Sequence, residues 1–358
     1  MPGGDGTGPR GQGPKIMGVD HMKEAMFYEA LPENKIQCGL CNHRCRIRDG
    51  KRGICSVREN QGGRLCSLVY GKIIAEHIDP IEKKPLFNFL PGSHAFSIGT
   101  AGCNFRCKHC QNFDISQYPQ ENRGNIIGQD RIPEQIVSAA KSANCDTIAY
   151  TYTEPTIFFE FAYDTAVIAR KEGIRNVFVS NGYMSNEAAH VIAPYLDAIN
   201  IDIKAFTDKF YKEICGASLK PVLETVQTMK KLGVWVEVTT LIIPGLNDGE
   251  HELRDIAGFI KSVGPDIPWH VTRFYPTYKL QNRPRTPVAT LRHAREIGME
   301  EGLRYVYEGN IPGEGGESTY CYSCGTMLIE RHGLTLLGNR LKEGKCPQCQ
   351  TKIDGVGM

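Results

Sequence analysis

The pattern of apolar and polar positions changes along this chain, and the changes mark its divisions. Between about residues 95 and 307, short β-rich runs alternate with longer helical stretches. The runs predict strands at Ala95–Gly99, Thr147–Tyr152, Val177–Ser180, Ala198–Ile203, Val234–Ile243, Trp269–Phe274 and Tyr305–Tyr307. Ile132-Pro133-Glu134 opens one of the helices between them, with proline in the first turn and an acid beside it. Thr156–Lys171 reads as one long, mostly apolar helix ended by Gly173. Asn247-Asp248-Gly249-Glu250 resembles a capping box ahead of a helix reaching about Val263. Thr286-Pro287 starts a last helix, which Gly302 ends. Strands alternating with helices predict an α/β fold with a parallel sheet and right-handed crossovers. We read it as a partial (β/α)6 TIM-type barrel over residues 93–312, with sites gathered at the C-terminal ends of the strands.

The flanks differ. Gly and Pro fill nine of the first 14 positions, so residues 1–17 are expected to be a flexible tail. Residues 18–92 read as a small cysteine-rich module and linker, with short strands near Leu65–Ile78. Residues 313–358 read as a C-terminal zinc ribbon. Composition is that of a globular protein, 41% hydrophobic and 23% charged. The net charge of +2 argues against polyanion binding by the chain as a whole. No apolar run reaches the roughly 18 residues of a membrane span. There is no apolar signal core, and the 14 cysteines fall mostly in pairs and triplets. Metal binding in a reducing cytoplasm is the expectation, rather than disulfides in an exported protein.

The candidate chemistry lies just after the first barrel strand. Cys103, Cys107 and Cys110 are spaced C-x3-C-x2-C, with no fourth cysteine nearby in sequence. A structural zinc site takes four protein ligands, and a cubic 4Fe–4S cluster normally takes four cysteines. Three thiolates in one tight loop therefore predict a cluster with one iron left open to a small molecule.

The match extends beyond the loop. Cys103-Asn-Phe-Arg-Cys107-Lys-His-Cys110, Tyr150-Thr-Tyr-Thr-Glu154-Pro-Thr, Ser180-Asn-Gly-Tyr, Asn200-Ile-Asp202-Ile-Lys204-Ala, Ile243-Pro-Gly-Leu-Asn-Asp248 and Pro268-Trp-His-Val-Thr-Arg-Phe together resemble the radical SAM superfamily. Within it they resemble the AmmeMemoRadiSam-system radical SAM enzymes, which are similar to pyruvate formate-lyase activating enzymes. The resemblance implies reductive cleavage of S-adenosylmethionine (SAM) at the cluster to a 5′-deoxyadenosyl radical. It also implies a protein or peptide substrate, a low-potential electron donor, and Memo-like and AMMECR-like proteins as partners. Residue by residue, it implies that Glu154 binds the SAM amino group, and that Ser180 and Asn181 hold the ribose and carboxylate. It implies that Asp202 helps bind a monovalent cation and that Lys204 contacts SAM or Asp202. The residue before the third cysteine is usually a larger aromatic packed near adenine; here it is His109. Each position has a structural alternative. Glu154 could cap a helix, Ser180-Asn181-Gly182 could be a turn, and Asp202 with Lys204 could be an ion pair. Arg273 is a further candidate for substrate or SAM, and His270 reads as a core histidine. No ferredoxin-like insert follows Cys110, although many glycyl-radical activases carry one there.

Two further cysteine groups flank the barrel. Cys321, Cys324, Cys346 and Cys349 have the spacing of a closed tetrahedral S4 site, with zinc expected and rubredoxin-like iron the alternative. Cys38, Cys41, Cys45 and Cys55 fit zinc or an auxiliary iron–sulfur cluster equally well, with His43 as a possible substitute ligand. Cys66, Cys145 and Cys215 read as isolated, buried small residues. Two other functions stay open from sequence: modification of RNA through the basic stretches Arg44–Arg52 and Arg283–Arg295, and a metal-held adaptor without catalysis.

Overall fold

The structure is a computed structural model that describes residues 23–358, so the expected tail at residues 1–17 lies outside the described residues. Its largest sheet has nine strands: β1 (Lys72–Pro80), β2 (His94–Thr100), β3 (Gln129–Asp130), β4 (Thr147–Tyr150), β5 (Arg175–Ser180), β6 (Ala198–Asp202), β7 (Trp235–Ile242), β8 (Trp269–Arg273) and β9 (Val306–Gly309). The spatial order is β9-β8-β7-β6-β5-β4-β2-β1-β3. From β2 to β9 all neighbours pair in parallel, and their order in space never departs from their order in sequence. Right-handed crossovers without a reversal put all the connecting helices on one face of the sheet. The opposite face is left for a site. β1 and β3 extend the sheet antiparallel beyond β2.

The seven parallel strands fall where the β-rich runs predicted them, each within two residues at either end. Residues Thr147–Tyr150 are buried at every position, as in a strand covered on both faces. Helices α1 (Pro133–Ser142), α2 (Phe159–Lys171), α3 (Asn186–Ile192), α4 (Lys220–Lys231), α5 (Glu250–Val263) and α6 (Val288–Glu300) supply the crossovers.

Two helix starts differ from expectation. The stretch read as one helix from Thr156 begins as a 3-10 turn at Pro155–Phe158, and α2 starts only at Phe159. The turn follows Glu154, whose side chain caps it by accepting from Thr156 N–H. The capping box at Asn247–Glu250 does not form. Gly249 caps α5 without a side chain, and Asn247 instead accepts from Ile243 N–H and donates to the carbonyls of Lys204 and Leu241. Its amide therefore ties the loop after β7 to the chain just past β6.

The cysteine-rich module contains two antiparallel three-stranded sheets, Lys23–Glu24 with Arg64–Ser67 and Arg58–Gln61, and Tyr28–Leu31 with Lys35–Cys38 and Arg46–Ile47. It meets the helices of the large sheet through a buried ion pair between Arg58 and Glu160 of α2. The C-terminal ribbon has strands β10 (Thr319–Tyr320), β11 (Met327–His332) and β12 (Thr335–Asn339). It shares a core with the sheet, where Leu328 and Ile329 pack with Phe87, Tyr305 and Tyr307. Arg331 is the buried clamp. It pairs with Glu82 at 3.3 Å, donates to Phe87 O at 2.8 Å and stacks over the Phe87 ring. No helix among the described residues is long and apolar enough to cross a membrane.

Breaking a buried pair leaves its partner unbalanced and costs about 3–5 kcal/mol. Arg331→Ala is expected to loosen residues 319–339 first. Hydrogen exchange should show lost protection in β11 and β12 while β4 to β6 stay protected; uniform loss across all strands would count against a local clamp.

Candidate active site

The C-terminal ends of the parallel strands converge on a cavity of about 580 Å³, within the range of roughly 300–1,000 Å³ usual for small-molecule sites. Ser180 closes β5, Asp202 closes β6 and Gly309 closes β9, and all three line it. Cys103, Cys107, His109, Cys110, Glu154, Asn181 and Lys204 line it too. The cysteine loop leaves β2 through Gly102, whose φ of +104° favours glycine; a Cβ there would lie 2.6 Å from Val57 Cγ1. The loop is then pinned by Arg106 N–H donating to Cys215 O at 2.8 Å and Lys108 N–H donating to Ile214 O at 2.9 Å.

The thiols differ in environment. Burial pushes the Cys103 thiol well above its ordinary value, and the Glu154 carboxylate adds to the effect. Burial also raises Cys110, whose Sγ lies 3.2 Å from Ser116 Oγ. Cys107 shifts downward because the Cys215 thiol hydrogen-bonds to it. Cys215 is thus not the isolated residue expected from sequence. Its sulfur lies with Cys107 Sγ and a ring nitrogen of His109 in one group, all within 4.8 Å. The residues between positions 110 and 215 fold away through α1, β4, α2, β5, α3 and β6, which brings the two thiols together.

Glu154 is fully buried. One oxygen accepts from Thr156 N–H (3.0 Å), Thr156 Oγ1–H (2.5 Å) and Ser180 Oγ–H (2.8 Å); the other accepts from Asn181 N–H (2.7 Å). Each carboxylate oxygen offers about two lone-pair sites, so the first is fully engaged while the second keeps room for one more donor. Burial nevertheless raises its pKa above the ordinary carboxyl value. Asn181 Nδ2 donates to Asn104 Oδ1 at 2.7 Å and points at Cys103 Sγ, 3.8 Å away. The Thr-Glu-Pro turn, the Ser180-Asn181 turn and the cysteine loop therefore form one hydrogen-bonded unit.

Asp202 and Lys204 form an ion pair at 2.7 Å on the cavity wall, although β6 ends at Asp202. Burial works against the Lys204 charge, but Asp202 and the Cys107 sulfur hold the ammonium above its ordinary value. His109 is buried, and burial followed by the nearby Lys204 pushes its pKa down to about 3, so the ring is neutral. Its Nδ1 has no hydrogen-bond partner among the described residues. Arg273 does not line the cavity. Strand alternation gives that face to His270 and Thr272, and Arg273 Nε donates to Thr286 O instead. His270 is buried and held at 2.6 Å by Glu237, as expected of a core histidine, but it also borders the cavity.

The sequence reading missed Asp79, Lys84 and Tyr152. Tyr152 has φ +64°, a strained conformation for a bulky residue, and its hydroxyl donates to Asp79 Oδ2 at 2.5 Å. Lys84 Nζ pairs with the same oxygen at 2.6 Å and lies over the Tyr152 ring. Lys84 and Tyr152 line the cavity. Nothing in Glu82-Lys83-Lys84-Pro85 marks it as part of a site. Leu334, at the tip of the β11–β12 hairpin, lines the cavity as well.

Of the flanking cysteines, Cys321 and Cys349 have sulfurs 3.6 Å apart, as do Cys324 and Cys346, and all four lie within 4.8 Å. That group can hold one metal ion. Cys38, Cys41, Cys45 and Cys55 line a second, smaller cavity. His43 Nε2 is engaged with Asn104 O at 2.8 Å, which ties this module to the Cys103 loop.

The profile of the radical SAM superfamily matches residues 97–260. A Methanocaldococcus jannaschii protein named Uncharacterized protein MJ0808 is 49% identical over 338 residues, spanning 94% of this chain and 100% of its own length. From the same organism, the putative glycyl-radical enzyme activating enzyme MJ1632 is 24% identical over 60% of this chain and 81% of its own length. The pyruvate formate-lyase-activating enzyme of Clostridium pasteurianum is 22% identical over 45% of this chain and 67% of its own length.

Burial pulls the Lys84 ammonium down to about 8, although Asp79 opposes the shift. Between that pH and the ordinary lysine value of about 10.4, the unfolded chain holds a proton that the folded chain has released. Folding stability is therefore expected to rise with pH across this window, by roughly 3 kcal/mol at most. Denaturant titrations of the wild type and Lys84→Met at pH 7.5 and 10 test this: the difference between them should shift by that amount, and parallel curves would refute it.

Proposed function

We propose that this chain, whose residues 97–260 match the radical SAM superfamily, is a radical SAM enzyme that cleaves SAM reductively at a 4Fe–4S cluster held by Cys103, Cys107 and Cys110. Bound there, the cluster and SAM supply a 5′-deoxyadenosyl radical able to abstract hydrogen. The donor set fits: three thiols line one cavity, and burial disfavours the charge on two of them unless a cation is added. The observation that carries the reading is the Glu154–Ser180–Asn181–Cys103 unit, which joins the cluster loop to the SAM-side strand ends by direct hydrogen bonds.

In this reading Glu154 acts chiefly by holding the Ser180-Asn181 turn, and its negative charge attracts the SAM ammonium through space. His109 offers a neutral ring and its unpartnered Nδ1 to adenine. Asp202, held by Lys204, faces the SAM carboxylate side and is the candidate ligand for a monovalent cation. The substrate is a protein or peptide, in keeping with relatives named as activating enzymes. Memo-like and AMMECR-like proteins, a low-potential electron donor and a cytoplasmic location complete the proposal, with zinc in the C-terminal ribbon.

Anaerobically reconstituted protein given SAM and dithionite is expected to release 5′-deoxyadenosine, and the cluster's electron paramagnetic resonance signal should change when SAM is added. Absence of both results would overturn the proposal. Glu154→Gln turns an acceptor oxygen into a donor facing donors, so SAM affinity should fall at least tenfold, about 1.4 kcal/mol; equilibrium dialysis reads it. His109→Ala should raise the KM for SAM, and His109→Phe should restore most of it. Equal KM values for all three proteins would remove His109 from the adenine side.

A further inference from the structure

We propose that Cys38, Cys41, Cys45 and Cys55 hold a second 4Fe–4S cluster, ligated by a thiolate at every iron and packed directly behind the Cys103 loop. All four line one cavity with apolar neighbours such as Ile54 and Ile157. The cavity is small, about 20 Å³ against about 580 Å³ for the main one.

Sulfur spacing separates a cluster from a single ion. A tetrahedral zinc with Zn–S near 2.3 Å places its sulfurs about 3.8 Å apart. The C-terminal ribbon meets that spacing, with sulfur pairs 3.6 Å apart and all four within 4.8 Å. Among the described residues, no three of the N-terminal thiols form such a group. In any three of them at least one pair of sulfurs is more than 4.8 Å apart, yet all four line one space, which suits a cubic cluster, where each thiolate caps a separate iron.

Arg58 is the second observation. Its side chain is 2% exposed and lines the same cavity. One terminal nitrogen is bound to Glu160, the other points at Cys38 Sγ from 3.9 Å, and Nε has no partner. A buried N–H left unpaired costs about 1–3 kcal/mol. Cluster sulfides and thiolates are acceptors that would satisfy it, and they would carry negative charge beside a guanidinium.

The two cysteine groups are neighbours. Gln120 Nε2 lies 3.4 Å from Cys55 O and 3.5 Å from Cys103 O. A Cβ on Gly102 would lie 3.3 Å from Cys55 O. The second cluster would therefore sit one layer of backbone away from the first.

Iron, sulfide and zinc are counted per anaerobically reconstituted full chain. Wild type is expected to hold about eight irons, and the Cys103/Cys107/Cys110→Ala variant about four. Cys41/Cys45→Ala is also expected to lose about four irons and to keep the SAM-responsive signal. About four irons with two zinc ions per wild-type chain would overturn the proposal, as would complete loss of iron from the Cys103/Cys107/Cys110→Ala variant. Arg58→Lys keeps the charge and removes Nε. It should alter the SAM-insensitive signal and leave the SAM-responsive one unchanged; an unaltered insensitive signal also counts against the proposal. About eight irons with no response to SAM would leave this cluster standing and remove only the reading of the Cys103 site.

Discussion

The buried carboxylate of Glu154 is the constraint around which the site is built. A carboxylate without water must be met by donors, or it loses its charge. Here the donors come from two places far apart in sequence: the turn that opens at Pro155 and the end of β5. Satisfying one side chain thus fixes two strand ends against each other, and Asn181 carries the same network to Asn104 and Cys103. The cavity wall is rigid where it borders the cysteine loop because its polar groups are bound to one another.

Three buried ion pairs do similar work further out. Arg58–Glu160 joins the cysteine-rich module to α2, Lys84–Asp79 holds the linker to β1, and Arg331–Glu82 holds the ribbon to the linker. Such pairs contribute little net stability compared with apolar packing, but an unmatched partner is costly. They select one docking geometry for each added segment. The long-range order of the molecule then follows from a few charges that must find their counterparts.

What could be read in the sequence was local. The parallel strands are apolar runs bounded by breakers, and the C-x3-C-x2-C and paired C-x2-C spacings are visible in a line of text. What could not be read depended on three dimensions. Cys215 approaches Cys107 only because the chain returns to the cysteine loop after passing through β4, β5 and β6 and their helices. Asn247 is a good capping residue by type, yet a carbonyl of Lys204 and a strand end claim its amide. Arg273 sits beside cavity residues in sequence, and strand alternation turns it away. Thr156 looks helical by composition, but a 3-10 turn shapes the start of α2. The basic stretches that left RNA open as a substrate are partly matched internally, by Arg44–Glu187, Arg52–Glu59 and Arg292–Glu314.

Leu334 reaches the cavity from the ribbon, more than two hundred residues beyond the cysteine loop whose space it helps enclose. Chains are synthesised from the N-terminus and tend to fold in that order. On the ribosome, the loop and its surrounding strands emerge well before the hairpin that completes their enclosure. Assembly therefore passes through a stage in which the interior lacks that wall, and a segment translated much later supplies it.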